Sequence, residues 1–438
     1  MLQRLGVELV HIPTLVASLK PSTTTTTIAR SDAHGQDGAL VLYTSGTTGR
    51  PKGVLHTRAG LQSAIQALVQ SWEYSDKDRI LHFLPLHHLH GVLNKLLCIM
   101  WAGGTIEFAK SANTVQIWKR LAKESIGNDL LTVFMAVPTV YARMLEDVRK
   151  MKTSNQINEP TSALTPSDIE KAVVAMKKMR LMACGSAALP DPIMDQWLAL
   201  SGHVLLERYG MTEIGMALSN PYKGIRRKGF VGTPLPLVEC RIVGDDEKEI
   251  ISPEQPGELR VKGPNVFNRY LNKQDATRES FDKEGWFKTG DTAVFIEDCT
   301  TNDKKEKIYK LLGRSSTDII KSGGYKLSAL EIERELLAHP QIAEAAVIGK
   351  KDDVYGEVVV AFISLRSSID NNITFEKKLL IDTATLDSKH TLEKMREFLN
   401  SRLASYKQPR IYHIVPSIPR NHLGKVNKKS LSKDLGFE

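Results

Sequence analysis

The chain has 438 residues, a quarter of them charged, with a formal net charge of +9, a length that accommodates two or three domains around a large core. The basic residues are spread out, Arg226-Arg227-Lys228 being the longest cluster, which argues against nucleic acid as a partner and for a general attraction of small anionic substrates. Four cysteines, Cys98, Cys184, Cys240 and Cys299, stand far apart without a CxxC pair, so a reducing compartment is expected rather than a disulfide framework or a zinc site.

Residues 1–37 give one short apolar segment, Gly6 to Ile12, and then Pro21-Ser22 with a threonine run to Thr27 that reads as a flexible linker. The start carries Glu8 and lacks both an apolar secretory core and an Arg/Ser-rich amphipathic pattern, so no targeting signal is expected. Ala39-Leu40-Val41-Leu42-Tyr43 suits a buried strand, and Thr44-Ser45-Gly46-Thr47-Thr48-Gly49-Arg50-Pro51-Lys52-Gly53 follows it. Backbone N–H groups in such a turn converge on one spot, glycine allows close approach, and the hydroxyls and Lys52 add donors and charge, so the stretch reads as a phosphate cradle. It is not a Walker A loop, which needs Gly-Lys-Ser/Thr after four residues. The stretch resembles the signature loop of the adenylate-forming superfamily of acyl-CoA synthetases, luciferases and peptide-synthetase adenylation domains. Members activate a carboxylate with ATP to an acyl-adenylate, release pyrophosphate and pass the acyl group to a thiol such as CoA. The resemblance implies ATP contacts at Thr44, Ser45, Gly46, Thr47, Thr48 and Gly49, and a catalytic role for Lys52.

Downstream, apolar runs alternate with helical periodicity: a helix near 59–71, a strand at 80–86, a helix around 92–100 and a strand at 105–108, an α/β pattern. The most apolar stretch, 92–109, is broken by Asn94, Lys95, Gly103 and Gly104. It falls short of the roughly 18 apolar residues a membrane span needs, so a soluble protein is expected. The run Leu84-Pro85-Leu86-His87-His88-Leu89-His90-Gly91 is histidine-rich but has no acidic residue or cysteine nearby, a weak metal signal. In the resembled family this position lines the carboxylate pocket, which points to His90.

A buried strand at 131–137 leads into a helix opening at Pro138, with Val140, Tyr141, Met144 and Leu145 on its apolar side. Residues 151–167 read as a solvent loop. Met179 to Pro190 reads as a strand running into a small-residue turn whose Gly185 and Ser186, by resemblance, pack against adenine and the acyl group. Glu207-Arg208-Tyr209-Gly210-Met211-Thr212-Glu213 is the second signature. By resemblance Tyr209 stacks on adenine, Thr212 meets phosphate, and Glu213 holds magnesium. From Gly229 to Val266 short strands and turns imply a small β subdomain. It leads to Thr289-Gly290-Asp291, where a carboxylate can accept two ribose hydroxyls.

At Gly313-Arg314-Ser315-Ser316-Thr317-Asp318 the resemblance implies a hinge pivoting at Ser316, with Arg314 on the nucleotide. Gly323, Gly324, Tyr325 and Lys326 form the loop that it brings to the site for thioester formation. Residues 365–391 look like a surface insertion, and Lys425 matches the adenylation lysine, a mobile point charge for the carboxylate and α-phosphate. The expected fold is therefore α/β: a large N-terminal domain of mixed sheets and helices with a small β subdomain, plus a smaller mobile α+β C-terminal domain. The implied division is 1–37 as linker and subdomain remnant, 38–312 as adenylation domain, 313–316 as hinge and 317–438 as C-terminal domain.

A dicarboxylate substrate needs a cation opposite its second carboxylate, since an unpaired buried charge is prohibitively costly. The candidates are Arg143, Arg180 and His90, solvation being the plainer reading of either arginine alone. With the histidine-rich segment they resemble the malonyl-CoA synthetase branch, implying malonate, ATP and CoA as small-molecule partners, a monomer, and a mitochondrial or cytoplasmic location. The resemblance also implies a longer front before the phosphate loop. Two other readings follow: a shortened, non-catalytic nucleotide-binding isoform, and a ligase for another short or aromatic acid.

Overall fold

The computed structural model describes residues 38–44, 51–109, 113–123, 130–153, 164–299, 305–366, 386–420, 426–428 and 431. The linker 21–27, Ser45 to Gly49, most of the insertion at 365–391, and Lys425 lie outside them.

A seven-stranded sheet organises the first part of the chain, in the spatial order Thr105–Phe108, Arg79–His82, Val133–Ala136, Leu181–Cys184, Leu206–Met211, Gly215–Ser219 and Thr233–Pro234. The first five run parallel and the last two join antiparallel. The parallel strands are apolar on both faces, as a sheet covered on both sides requires. Side chains alternate accordingly: Ile80, Val133 and Leu181 enter one core with the helix Arg58–Ser71, while Leu81, Phe134 and Met182 enter a second with the helices Thr114–Ala122, Pro138–Thr153 and Asp191–Ser201.

The helix Arg58–Ser71 starts where expected because Thr57 caps it, its Oγ1 accepting from Gly60 N–H at 3.0 Å. The helix expected around 92–100 begins earlier, at His90, as a π-helix to Leu97, and continues as α-helix only over Cys98–Trp101. Such wide turns are frequent at functional sites. The strand before the phosphate loop differs from expectation. Gly38–Thr44 pairs antiparallel with Lys52–Thr57 in a three-stranded sheet completed by Arg269–Tyr270. As an edge strand it buries Leu42 but leaves Tyr43 62% exposed.

The β subdomain is a four-stranded antiparallel sheet of Glu239–Val243, Gly257–Lys262, Phe287–Cys299 and Lys305–Arg314. Beyond the turn at 315–318 lies a five-stranded sheet built wholly from later residues, with Tyr325–Ser328, Ile319–Ser322, Gly356–Leu365 and Ile342–Asp352 in order and Ile411–Ile414 beside the third. The helices Ala329–Leu337 and Leu386–Asn400 cover one face. Ser328 ties this unit to the strand before the turn: its hydroxyl caps the helix through Glu331 N–H and donates to Leu312 C=O at 2.6 Å. Across the domains Lys326 meets Asp245 at 2.5 Å and Arg334 lies 3.6 Å from Asp191. Among the described residues no helix is long and apolar enough to cross a membrane.

Candidate active site

In an open parallel sheet, ligands bind outside the carboxyl ends of the strands. His90 follows the strand Arg79–His82, Gly185 and Ser186 follow Leu181–Cys184, and Tyr209 to Glu213 end and leave Leu206–Met211. All lie at that edge.

Three residues distant in sequence meet at one end. Tyr209 O–H donates to Asp291 Oδ2 at 2.5 Å, and Arg314 Nε pairs with Asp291 Oδ1 at 2.9 Å. The neighbouring antiparallel strands place Asp291 directly opposite Arg314. Burial, and then the Asp291 carboxylate, hold the Tyr209 phenol well above its ordinary pKa, so it stays a donor. Both carboxylate oxygens are engaged; a ribose diol would share them, each oxygen having room for a second bond.

At a second point the two signatures touch. Lys52 Nζ sits 4.8 Å from the centre of the Tyr270 ring, and Tyr270 O–H donates to Glu213 Oε1 at 2.9 Å. Tyr270 reaches this place because its short strand pairs with Lys52–Thr57. From the same strand the His56 ring nitrogen lies 2.7 Å from Thr212 C=O, fixing the turn that carries Thr212 and Glu213. Among the described residues there is no cluster of three His, Cys, Asp or Glu that could hold a metal. Glu213 supplies a single buried carboxylate with one oxygen held by Tyr270, a donor set that fits magnesium only where phosphate oxygens and water complete the shell.

The third part lies around Ser186 and His90. Ser186 adopts a left-handed φ of 73°, and its Oγ lies 3.3 Å from His90 Nδ1. Beneath this pair lies Arg208, 4% exposed. Among the described residues the arginine makes no ion pair, and its Nη2 finds no hydrogen-bond partner. The titratable groups around it are Cys184, Tyr74 and Tyr141, whose own pKa values burial raises, so they are neutral. Burial lowers the guanidinium pKa to about 10, which leaves it cationic at neutral pH. A buried charge without a counter-ion is expensive and marks a place made for an anion.

This arrangement corrects part of the sequence-based expectation. Arg180 does not join Ser186 and His90: it opens its strand at the opposite edge, where Nε and Nη2 clasp both oxygens of Asp78 at 2.6 Å and Nη1 donates to Trp72 C=O at 2.7 Å. Its guanidinium also packs over Tyr74 and Tyr222. Every branch is committed to holding the strand starts together. His90 is in the site but not as a cation, since burial, then Arg208, Lys95 and His82, hold its pKa well below the ordinary value. Lys95, fully buried and donating to Met135 C=O at 3.0 Å, is likewise pushed well down by burial. Arg143 is exposed on the second turn of Pro138–Thr153 and pairs with no described residue.

Arg208, Tyr270 and His56 were not singled out from the sequence. Arg208 stood in plain view inside the second signature, a charge within a strand; its lack of a partner is visible only in three dimensions.

Ser316 is exposed in the turn between the strands Lys305–Arg314 and Ile319–Ser322. Gly323 and Gly324, with φ of 57° and 84°, form the two-residue turn of the hairpin to Tyr325–Ser328. Tyr325 stacks on Tyr406 at 4.5 Å.

Fold and site together define an adenylate-forming ligase architecture: a large sheet-based domain, a β subdomain and a smaller domain beyond a turn, with the groups around Asp291, Glu213 and Ser186 gathered along one sheet edge. The chain belongs to the AMP-binding enzyme family, whose model matches residues 8–271, while the model of the AMP-binding enzyme C-terminal domain matches 331–425. It is 42% identical to the mitochondrial malonate–CoA ligase ACSF3 of Mus musculus, over 99% of this chain and 70% of the relative. It is 43% identical to a malonate–CoA ligase of Arabidopsis thaliana, over 91% of this chain and 61% of that protein. Among solved structures it resembles ATP-bound MatB from Rhodopseudomonas palustris, with a TM-score of 0.72 at 32% identity, covering 92% of this chain and 69% of that one.

Proposed function

We propose that the chain is a malonate–CoA ligase, and the observation that carries this reading is the buried guanidinium of Arg208, which pairs with no described residue, at the acyl end of the site. A fatty acyl tail would leave that charge stranded, whereas the distal carboxylate of a short dicarboxylate would neutralise it. The names of the mouse and Arabidopsis relatives support the same acid.

In the first half-reaction an oxygen of the other malonate carboxylate attacks the α-phosphorus of ATP; the new P–O bond forms as the α–β anhydride breaks and pyrophosphate leaves. Lys425 would meet the charge developing on carboxylate and α-phosphate, with Lys52, Thr212 and the loop from Thr44 to Gly49 on the phosphates. Bound magnesium supplies positive charge against the triphosphate, and Glu213, steadied by Tyr270, is the residue that would hold it. Tyr209, Asp291 and Arg314 would position the nucleoside, with Gly185 and Ser186 beside adenine. In the second half-reaction the CoA sulfur attacks the acyl carbon, the thiol proton is lost, and the C–O bond to AMP breaks. The hinge at Ser316 and the loop Gly323, Gly324, Tyr325 and Lys326 would serve this step.

Arg143 remains a second candidate for the distal carboxylate, favoured by its helix starting at the carboxyl end of the strand Val133–Ala136. A monomer, and a mitochondrial or cytoplasmic location, complete the proposal; the mouse relative is named as mitochondrial. The test is ATP–pyrophosphate exchange over malonate, methylmalonate, acetate, butyrate and benzoate. Malonate should dominate. Preference for a monoacid would assign a different ligase, and no exchange with any acid would favour the non-catalytic nucleotide-binding reading.

A further inference from the structure

Lys428 lies far from the hinge in sequence but beside it in space. Its Nζ is 2.6 Å from Asp318 Oδ1 and 2.7 Å from Glu333 Oε1, with 11% of the side chain exposed. Burial pulls the pKa of this amine down, yet the attraction of Glu333 and Asp318 outweighs it and holds the pKa above its ordinary value, so Lys428 stays charged. Glu333 stands on the helix Ala329–Leu337 and accepts from Val347 N–H at 2.8 Å, which anchors it in the domain body. Asp318 ends the hinge turn, and its other oxygen accepts Arg314 N–H at 3.0 Å. Arg314 pairs in turn with Asp291, and Asp291 with Tyr209. A continuous polar chain therefore runs from the last part of the sequence through the hinge to the nucleoside end of the site.

We infer that Lys428 is a positioning residue for the adenylation half-reaction, clamping Asp318 so that the chain just after Lys425 in sequence, residues 426–428, is held in fixed relation to the hinge. The inference rests on the reading of Lys425 as the adenylation lysine, three positions earlier in the sequence. Lys428, Asp318 and Glu333 all belong to the unit beyond the hinge turn, so the clamp travels with that unit. The loop Gly323 to Lys326 is braced separately, through the Tyr325–Tyr406 stack and Lys326–Asp245. Loss of the clamp should therefore separate the half-reactions.

The experiment compares malonate-dependent ATP–pyrophosphate exchange with thioester formation from supplied malonyl-adenylate and CoA. It uses Lys428→Met, Lys428→Arg, Glu333→Gln and the double variant Lys428→Met/Glu333→Leu, each with a thermal melt. Lys428→Met should lower kcat for exchange on the order of 10- to 100-fold, the scale of a group misplaced by about 1 Å, with little change in KM for ATP or in thioester formation. Lys428→Arg should restore most of the exchange, and Glu333→Gln should retain it because the link to Asp318 survives. The double variant removes the carboxylate that Lys428→Met would strand; a protein that melts like the wild type but has lost exchange supports the clamp. Equal loss in both half-reactions, or full exchange in a folded double variant, overturns it. Lys425→Ala, run alongside, reads the underlying assignment separately: if it spares exchange, that assignment fails whatever the Lys428 variants do.

Discussion

The guanidinium of Arg208 lies directly against Gly185: a Cβ built on that glycine would come within 2.5 Å of Nη1 and 2.6 Å of Cζ. Gly185 follows the strand Leu181–Cys184, and Arg208 stands on the strand Leu206–Met211 beside it. The missing side chain is thus the space in which the arginine is held. Gly185→Ala should displace the guanidinium and reduce kcat/KM for malonate on the order of 10²-fold, the effect of a comparable misplacement, with a smaller change for butyrate. Steady-state kinetics on both acids checks this; equal losses would place the glycine's role elsewhere.

Arg208→Met should lower malonate kcat/KM by about 2 to 5 kcal/mol, the range for one side of a buried charge pair removed, while sparing or improving a monoacid. The free protein should not lose stability, because the substitution removes a buried charge that no described residue neutralises. Kinetics and a thermal melt on the same preparation read both halves. A variant that loses malonate activity only because it melts early would show Arg208 to be structural.

The opposite pattern is expected of Arg180. Asp78→Asn or Arg180→Leu breaks a bidentate pair whose carboxylate side chain is 1% exposed and whose arginine is 23% exposed. The cost should be about 3 kcal/mol, the low end of the range for such breakage because Arg180 keeps some access to water. Denaturant melts should register this loss, and the order of preference among acids should not change. A selective loss of malonate activity would return Arg180 to the acyl site.

Glu207 gives a pH signature. Burial raises its carboxyl pKa from an ordinary 4.5 to about 7, opposed in part by Arg334 of the C-terminal domain. Between those values the native state keeps a proton that the unfolded chain has released, so this group's contribution to stability falls as pH rises from about 4.5 to 7 and is level above that. The difference is about 3 kcal/mol. Glu207→Gln, which can still accept from Gly229 N–H, should gain on the wild type across that interval. Melts at pH 5 and pH 8 measure it; a constant difference would mean that Glu207 is ionised throughout.

Tyr270→Phe removes the donor that steadies Glu213 and leaves the ring beneath Lys52. If Glu213 holds magnesium, the concentration of the ion needed for half-maximal exchange should rise about 10-fold or more, as when an outer-shell partner of a metal ligand is lost. Titration of magnesium at saturating ATP tests this, and an unchanged midpoint would detach Glu213 from the metal.

The local features were legible in the sequence because local chemistry decides them. Thr57 caps the helix after the hairpin, Gly323-Gly324 makes a tight turn, and Val133 to Ala136 can only be a strand buried on both faces. The two signatures likewise carried the family. The pairings that build the site join residues 82 apart for Tyr209 and Asp291 and 57 apart for Tyr270 and Glu213, and no local pattern specifies such partners. The choice among arginines shows the same limit. Arg143, Arg180 and Arg208 are equal in residue type, and each lies on or close to a strand in sequence. Only the tertiary structure gives Arg180 to Asp78, leaves Arg143 in solvent, and encloses Arg208 without an ion-pair partner among the described residues. The physical reason is that an arginine's role here is set by which charge is, or is not, within about 4 Å of it in a low-dielectric interior, and that distance is a property of the packed chain.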